Sequence, residues 1–363
     1  MLQSVINLNK KYNLIFLLFG WIIYINFNLM TSVFSTNPPN FSIQDIVKYL
    51  IINFDLYGKV TSLYSDRDQN FLIQPESNQK FILKISNPAE QLEVLELQNE
   101  ATLYIRSREP NLGIPLQFGE IKEFNKDGKT YFVRLVEYLD GQFLKDSLDG
   151  KAVHEKLGIF FGTLSHSLAG FFHSAADREF EWDVRATELI KSRLAYFKSK
   201  SDIKTISHFL NEYKNNVLPI ATELKMAVIH NDGNDHNILV DKNGETTGII
   251  DFGDMVFSYQ VAEPAVCMAY LGLEKEDVFT PMAQVLKGYH SSFTLNNSEL
   301  KSVIYLVCIR LCISVTMSAW RMKLFPENKY LSVSQKPAWD LLRKLEKEDL
   351  KDWSNRLMDF IEC

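Results

Sequence analysis

Apolar residues at 43, 46, 47, 50, 51 and 54 recur at the period of a helix, so one is expected over residues 41–54, closing near Gly58. The texture then shortens. Phe71-Leu72-Ile73 and Phe81-Ile82-Leu83-Lys84-Ile85 alternate about a polar turn at 76–79, the pattern of a hairpin. A helix over 89–107 and two further strands, around Ile121 and at Tyr131-Phe132-Val133-Arg134-Leu135, complete a small, largely antiparallel unit. Beyond Asp140-Gly141 the period becomes helical. Leu157, Phe160, Phe161, Leu164, Leu168 and Phe171 form one broad apolar stripe. Two β-type runs, at 238–240 and 247–250, bracket the turn Asp241-Lys242-Asn243-Gly244. Thr280-Pro281 reads as a helix start, and 301–321 as a very apolar core helix with Arg310 at its middle. Strands first and helices afterwards predict a two-lobed α+β fold with a cleft between the lobes.

Three segments follow from this pattern: an apolar extension over 1–29, a first lobe over 41–139 and a helical lobe over 140–355. In the extension, Lys10-Lys11 precede the run 14–27, as in a signal peptide or short anchor. Asn26 and Asn28 interrupt that run short of a full span, so a start-site artefact, with Met30 as the natural start, is the preferred reading. A cytoplasmic protein is therefore expected, with anchoring through 14–30 as the alternative. The net charge of −6 without a basic stripe argues against nucleic acid as a partner. Cys308 and Cys312 lie four apart in an apolar helix with no further ligands in reach, so reduced core thiols are expected.

The chemistry lies in Val228-Ile229-His230-Asn231-Asp232-Gly233-Asn234-Asp235-His236-Asn237 and, one hairpin later, Ile250-Asp251-Phe252-Gly253-Asp254. Phosphoryl transfer asks little covalent help of a protein: a carboxylate for the hydroxyl proton, and oxygen ligands that hold Mg²⁺ against the phosphates. Asp232 occupies the place of the base. Asn237 and Asp251 supply an amide and a carboxylate for the metal, a set suited to a hard cation. Lys84, on an alternating strand, is the candidate to face the phosphates. No Gly-rich phosphate motif precedes it, and residues 61–64 are the candidate cover. Acidic residues near the motif (Asp235, Asp254, Asp183 and Glu263) are candidates for an acceptor's ammonium group, Asp235 and Asp254 ahead of the others.

These motifs resemble the catalytic loop of the aminoglycoside phosphotransferase and choline kinase superfamily, and most of all hydroxylysine kinase. The resemblance runs over about residues 41–350 and includes Asp68-Gln69-Asn70-Phe71, Val133-Arg134-Leu135, Arg178–Asp183 and the segments at 328–331 and 337–339. It implies a bilobal protein-kinase-like fold, a bracing rather than proton-transferring role for His230, and a helix glutamate beside Lys84: Glu100, or Glu96 one turn earlier. It also implies main-chain contacts to the nucleotide base from Glu137 and Leu139, GTP or ATP as donor with Mg²⁺, and a small hydroxylated amine or amino acid as acceptor. Asn231 and Gly233 depart from the family, whose members commonly carry glycine and leucine there. The glycine is expected to remove a packing side chain.

A protein kinase is disfavoured by the short chain between Asp251 and Glu263 and the absence of Ala-Pro-Glu. The remaining alternatives are kinases of aminoglycosides, homoserine, choline or fructosamine, and a silent binding module. The last is disfavoured by the presence of Lys84, Asp232, Asn237 and Asp251 together.

Overall fold

The computed structural model describes residues 32–77, 79–147, 151–328 and 335–362, side chains at 151 and 152 excepted. The expected extension over 1–29 and part of the 328–331 segment lie outside the described residues. Helix α1 (Ile43–Phe54) opens on a reciprocal capping box between Ser42 and Asp45. Strands β1 (Gly58–Leu63), β2 (Gln69–Pro75) and β3 (Phe81–Ile85) follow, then α2 (Leu92–Arg108), β4 (Gln117–Lys126) and β5 (Lys129–Glu137). They form an antiparallel sheet of order β1-β2-β3-β5-β4.

Strand alternation decides what this sheet does. Phe71, Ile73, Phe81, Leu83, Ile85, Val133 and Leu135 turn to one face and form a core with Ile46 and Leu50 of α1. The residues between them, Leu72, Ile82, Lys84 and Arg134, are thereby delivered to the opposite face, along the cleft. β1 was not legible in sequence: it is an edge strand, exposed at five of its six positions, with no alternation to read.

The second part contains β6 (Gln142–Phe143), α3 (Lys151–Ser167), α4 (Thr187–Arg193), α5 (Lys200–Asn216), β7 (Met226–Ile229), β8 (Ile238–Val240), β9 (Thr246–Ile249), β10 (Val256–Tyr259), α6 (Ala262–Leu271), α7 (Phe279–Ser292), α8 (Asn297–Leu324), α9 (Gln335–Leu345) and α10 (Leu350–Glu362). Two small antiparallel sheets, β7 with β10 and β6-β8-β9, lie on its cleft side. Phe171 falls beyond α3, after Gly170. α7 starts at Phe279, and Asp277, rather than Thr280, supplies the capping oxygen: its Oδ1 accepts from the Thr280 amide at 3.1 Å.

Helix α8 is the axis of this core. It is long and apolar enough to cross a membrane, yet 94% of its most apolar stretch is buried inside the protein. Cys308 and Cys312 lie there as buried free thiols, as does Cys267 on α6.

Candidate active site

The loop 230–237 leaves β7 at the floor of the cleft, held by groups that the surrounding fold buries. His230 Nδ1 accepts from the Asp232 amide at 3.2 Å, and Nε2 donates to the Ile250 carbonyl at 3.2 Å. Its ring meets Phe252 edge-on at 4.6 Å. Burial pulls the imidazole down to about 4, so it is neutral at pH 7 and serves as the brace between loop and returning strand. Its own amide donates to Glu263 at 2.6 Å, and burial raises that carboxyl to about 7. Asn231 adopts φ 64, a left-handed conformation in which glycine or asparagine is tolerated. That accounts for the departure at this position. The one at Gly233 has a packing reason: a Cβ there would stand 2.5 Å from the Phe161 ring. Phe161 of α3 fills the space, so the glycine does not leave the loop loose.

Asp232 is held on both oxygens. Oδ1 accepts from Asn234 Nδ2 at 2.9 Å and from Arg310 Nη2 at 3.2 Å; Oδ2 accepts from Asn237 Nδ2 at 2.6 Å. Burial, reinforced by the charge of Asp254 and opposed by Arg310, raises this carboxyl to about 7. A carboxylate so placed is a usable proton acceptor near neutral pH.

Asp251 behaves oppositely. Lys84 Nζ lies 3.1 Å from its Oδ1, and that cation holds the carboxyl well below the ordinary range despite desolvation. Asp251 itself takes φ 64, which turns it into the cleft at the end of the hairpin. No cluster of three or more His, Cys, Asp or Glu placed to hold a metal occurs among the described residues. The donors nevertheless fit Mg²⁺. Asn237 spends its nitrogen on Asp232, through the main-chain oxygen at 3.1 Å and Oδ2, which leaves the amide oxygen for a cation. One carboxylate and one amide oxygen leave the other positions of an octahedral ion to phosphates and water.

The cleft has a volume of about 1090 Å³ and collects Lys84, Glu137, Leu139, Asp232, Asn237 and Asp251 on its walls. Asp235 and Asp254 also line it. Asp254 is bound to Arg67 at 2.6 Å. Burial raises the carboxyl of Asp235. Of the expected cover residues, Leu63 and Tyr64 reach the cleft, together with Ser65.

Four expectations need correction. Glu100 is not beside Lys84: its side chain is 61% exposed and lies 4.0 Å from His173 Nε2. Glu96 is exposed too. α2 presents Gln98 to the sheet instead, where it accepts from Arg134 at 2.8 Å, and Lys84 takes its partner from Asp251. Asp183 is a buried scaffold residue, bound by Arg185 at 2.8 Å and by Ser258 at 2.7 Å. Glu263 braces the loop from beneath, as its bond to the His230 amide shows. Glu137 needs no correction: its carboxylate is committed to Arg106 at 3.0 Å and the Leu116 amide at 3.1 Å, which leaves its main chain for the expected contact with a nucleotide base.

Two arginines noted in the sequence were given no place in the site. Arg134 stands opposite Lys84 in the strand register and lines the cleft as a second cation. Arg310 reaches Asp232 from the middle of α8, donates to the Trp182 carbonyl at 2.9 Å, and stacks against the Trp182 and Tyr270 rings at 4.6 and 5.5 Å. Its signal was present: a lone charge inside an apolar helix needs a buried partner.

The cleft therefore gathers a lysine, two aspartates and an asparagine in a kinase-like arrangement on a two-lobed fold. A family model confirms that class: the chain belongs to the phosphotransferase enzyme family (APH), whose model matches residues 59–296. It is a phosphotransferase with an alcohol group as acceptor, and its curated relatives are hydroxylysine kinases. The mouse (Mus musculus) enzyme is 28% identical over 317 residues, 79% of this chain and 84% of the relative. The Danio rerio enzyme is 28% identical over 338 residues, covering 85% and 92%. Among solved structures, amicoumacin kinase hAmiN in complex with AMP-PNP, Ca²⁺ and Ami superposes with a TM-score of 0.65 at 15% identity, covering 86% of this chain and 97% of that one.

Proposed function

We propose that the protein transfers the terminal phosphoryl group of GTP or ATP to the hydroxyl of an amino-bearing metabolite, with 5-hydroxylysine as the acceptor. The observation that carries this reading is the convergence of Lys84, Asp232, Asn237 and Asp251 in one cleft. The names of the curated relatives supply the acceptor.

In this reading residues 41–139 hold the nucleotide and 140–355 the acceptor. Lys84 and Arg134 meet the phosphates, the main chain at Glu137 and Leu139 meets the base, and Asn237 and Asp251 hold Mg²⁺. The metal ion neutralises charge on the transferred phosphoryl group. Asp232 orients the acceptor hydroxyl and takes its proton through whichever carboxylate oxygen the substrate reaches. Asp254 and Asp235 remain the acidic groups nearest the acceptor's amine. A cytoplasmic location suits the buried thiols.

The test is a steady-state assay of the full chain with Mg²⁺, either nucleotide, and a panel of hydroxylated amines and amino acids. Turnover of 5-hydroxylysine well above that of choline, homoserine and aminoglycosides is expected. No turnover of any hydroxylated amine or amino acid with either nucleotide overturns the reading.

A further inference from the structure

The acceptor end of the cleft has an unusual charge pattern. Each of three carboxylates here has its own arginine: Asp254 with Arg67 at 2.6 Å, Asp232 with Arg310 at 3.2 Å, and Asp66 with Arg321. A site for a simple polycation would leave its acids free; here three carboxylates are already matched by arginines, which suits an acceptor that brings a carboxylate of its own.

The outermost pair is incompletely used. Arg321 gives Nη1 to Asp66 and Nε to the Phe34 carbonyl at 3.3 Å, and its Nη2 has no hydrogen-bond partner among the described residues. Asp66 Oδ1 is shielded from solvent and accepts no hydrogen bond there. Both residues line the cleft although the Arg321 side chain is only 7% exposed. The Phe34 ring is flanked by the guanidiniums of Arg67 and Arg321, at 5.2 and 5.9 Å, which fixes the arginine's direction.

We propose that the Arg321–Asp66 pair receives the α-carboxylate and α-ammonium of an amino-acid acceptor, and so selects amino acids over the corresponding amines. This rests on the acceptor class given above and adds the end of the molecule that is recognised. The order of groups along the helix agrees: Arg310, beside Asp232, and Arg321 share one face of α8 with Ser314 and Ser318 between them, eleven residues or about 16 Å of helix apart. An extended hydroxy amino acid lies lengthwise along that face, with its hydroxyl towards Asp232 and its carboxylate towards Arg321. The chemistry matches as well: the remaining Nη2 of Arg321 can donate a charge-assisted hydrogen bond to a carboxylate, and the Asp66 carboxylate, 33% exposed, offers a negative charge beside it for an ammonium.

The test compares 5-hydroxylysine with its decarboxylated diamine and its carboxamide, at saturating nucleotide. On the unaltered protein, kcat/KM for the amino acid should exceed that for either analogue by about 100-fold, since a site built for a polar group rejects the molecule lacking it. Arg321→Met should collapse that ratio by about 30-fold or more through KM for the amino acid, and Arg321→Lys should recover part of it. A nucleotide-induced rise in Tm reports that the variants are folded. Equal kcat/KM for acid, amide and amine on the unaltered protein overturns the proposal without any variant. So does an Arg321→Met protein that is folded and keeps the original ratio. If the unaltered protein phosphorylates neither the amino acid nor the amine, the hydroxylysine reading falls first and this inference with it.

Discussion

The loop at 230–237 and the turn at 251–254 each place one aspartate in the same cleft, and the two carboxyls are driven in opposite directions. Asp232 sits over a buried floor with Asp254 nearby and is raised to about 7. Asp251 faces Lys84 and is held well below its ordinary value. Side-chain chemistry is identical; the difference lies in whether burial or a cation dominates. One carboxyl becomes able to take a proton near neutrality, the other is a permanent anion suited to a metal. The stability consequences differ in sign as well. A raised carboxyl loses stabilisation as pH climbs from about 4 towards its folded value, whereas Asp251 stabilises above its unfolded pKa and stops doing so as pH falls through its folded one.

The sharpest way to break this contrast is to remove each carboxylate. Asp251→Ala should take turnover below detection. Asp232→Ala should lower kcat by about two to four orders of magnitude while nucleotide binding persists. Near-normal rates in either variant end the assignment of roles. Arg310→Met removes the cation beneath Asp232 and leaves a buried carboxyl unpaired; a loss of about 3–5 kcal/mol in urea unfolding at pH 8 is expected. A change below 1 kcal/mol would mean that the pair does not operate as drawn.

A pH profile sharpens the contrast further. With the ionised form of Asp232 as the proposed base, kcat/KM should fall as pH drops through about 7, on a single acidic limb. Asp254→Asn removes a charge that raises Asp232, and the limb should move to lower pH. An unmoved limb assigns the ionisation to another group. The smallest effect is a control. Glu100→Ala, on the exposed face of α2, should change activity by less than about twofold, the range of ordinary surface substitutions. A loss like that of Lys84→Ala would restore Glu100 as the lysine's partner.

What was readable in advance follows from range. Strand alternation around Lys84, the hairpin bracketing the turn at 241–244, and the spacing from Asp232 to Asn237 and Asp251 are local, and they single out without knowledge of tertiary contacts the four residues that the fold gathers in one cleft. Edge strand β1 escaped because exposed positions carry no period. The helix expected to start at Thr280 starts at Phe279, because the capping oxygen comes from Asp277, three residues before the expected cap. Glu100 was chosen by spacing from the family, yet which face of α2 meets the sheet is a packing question, and Gln98 occupies that face.

By itself, then, the order of residues determined the two-lobed α+β class and the candidate site side chains, because both are encoded in short-range periodicity and motif spacing. Only the folded chain decided that Arg310 and Arg321, buried in one apolar helix, would meet carboxylates 78 and 255 positions away along the sequence. A buried charge must find its counterion in space, and nothing local says where the fold will put it.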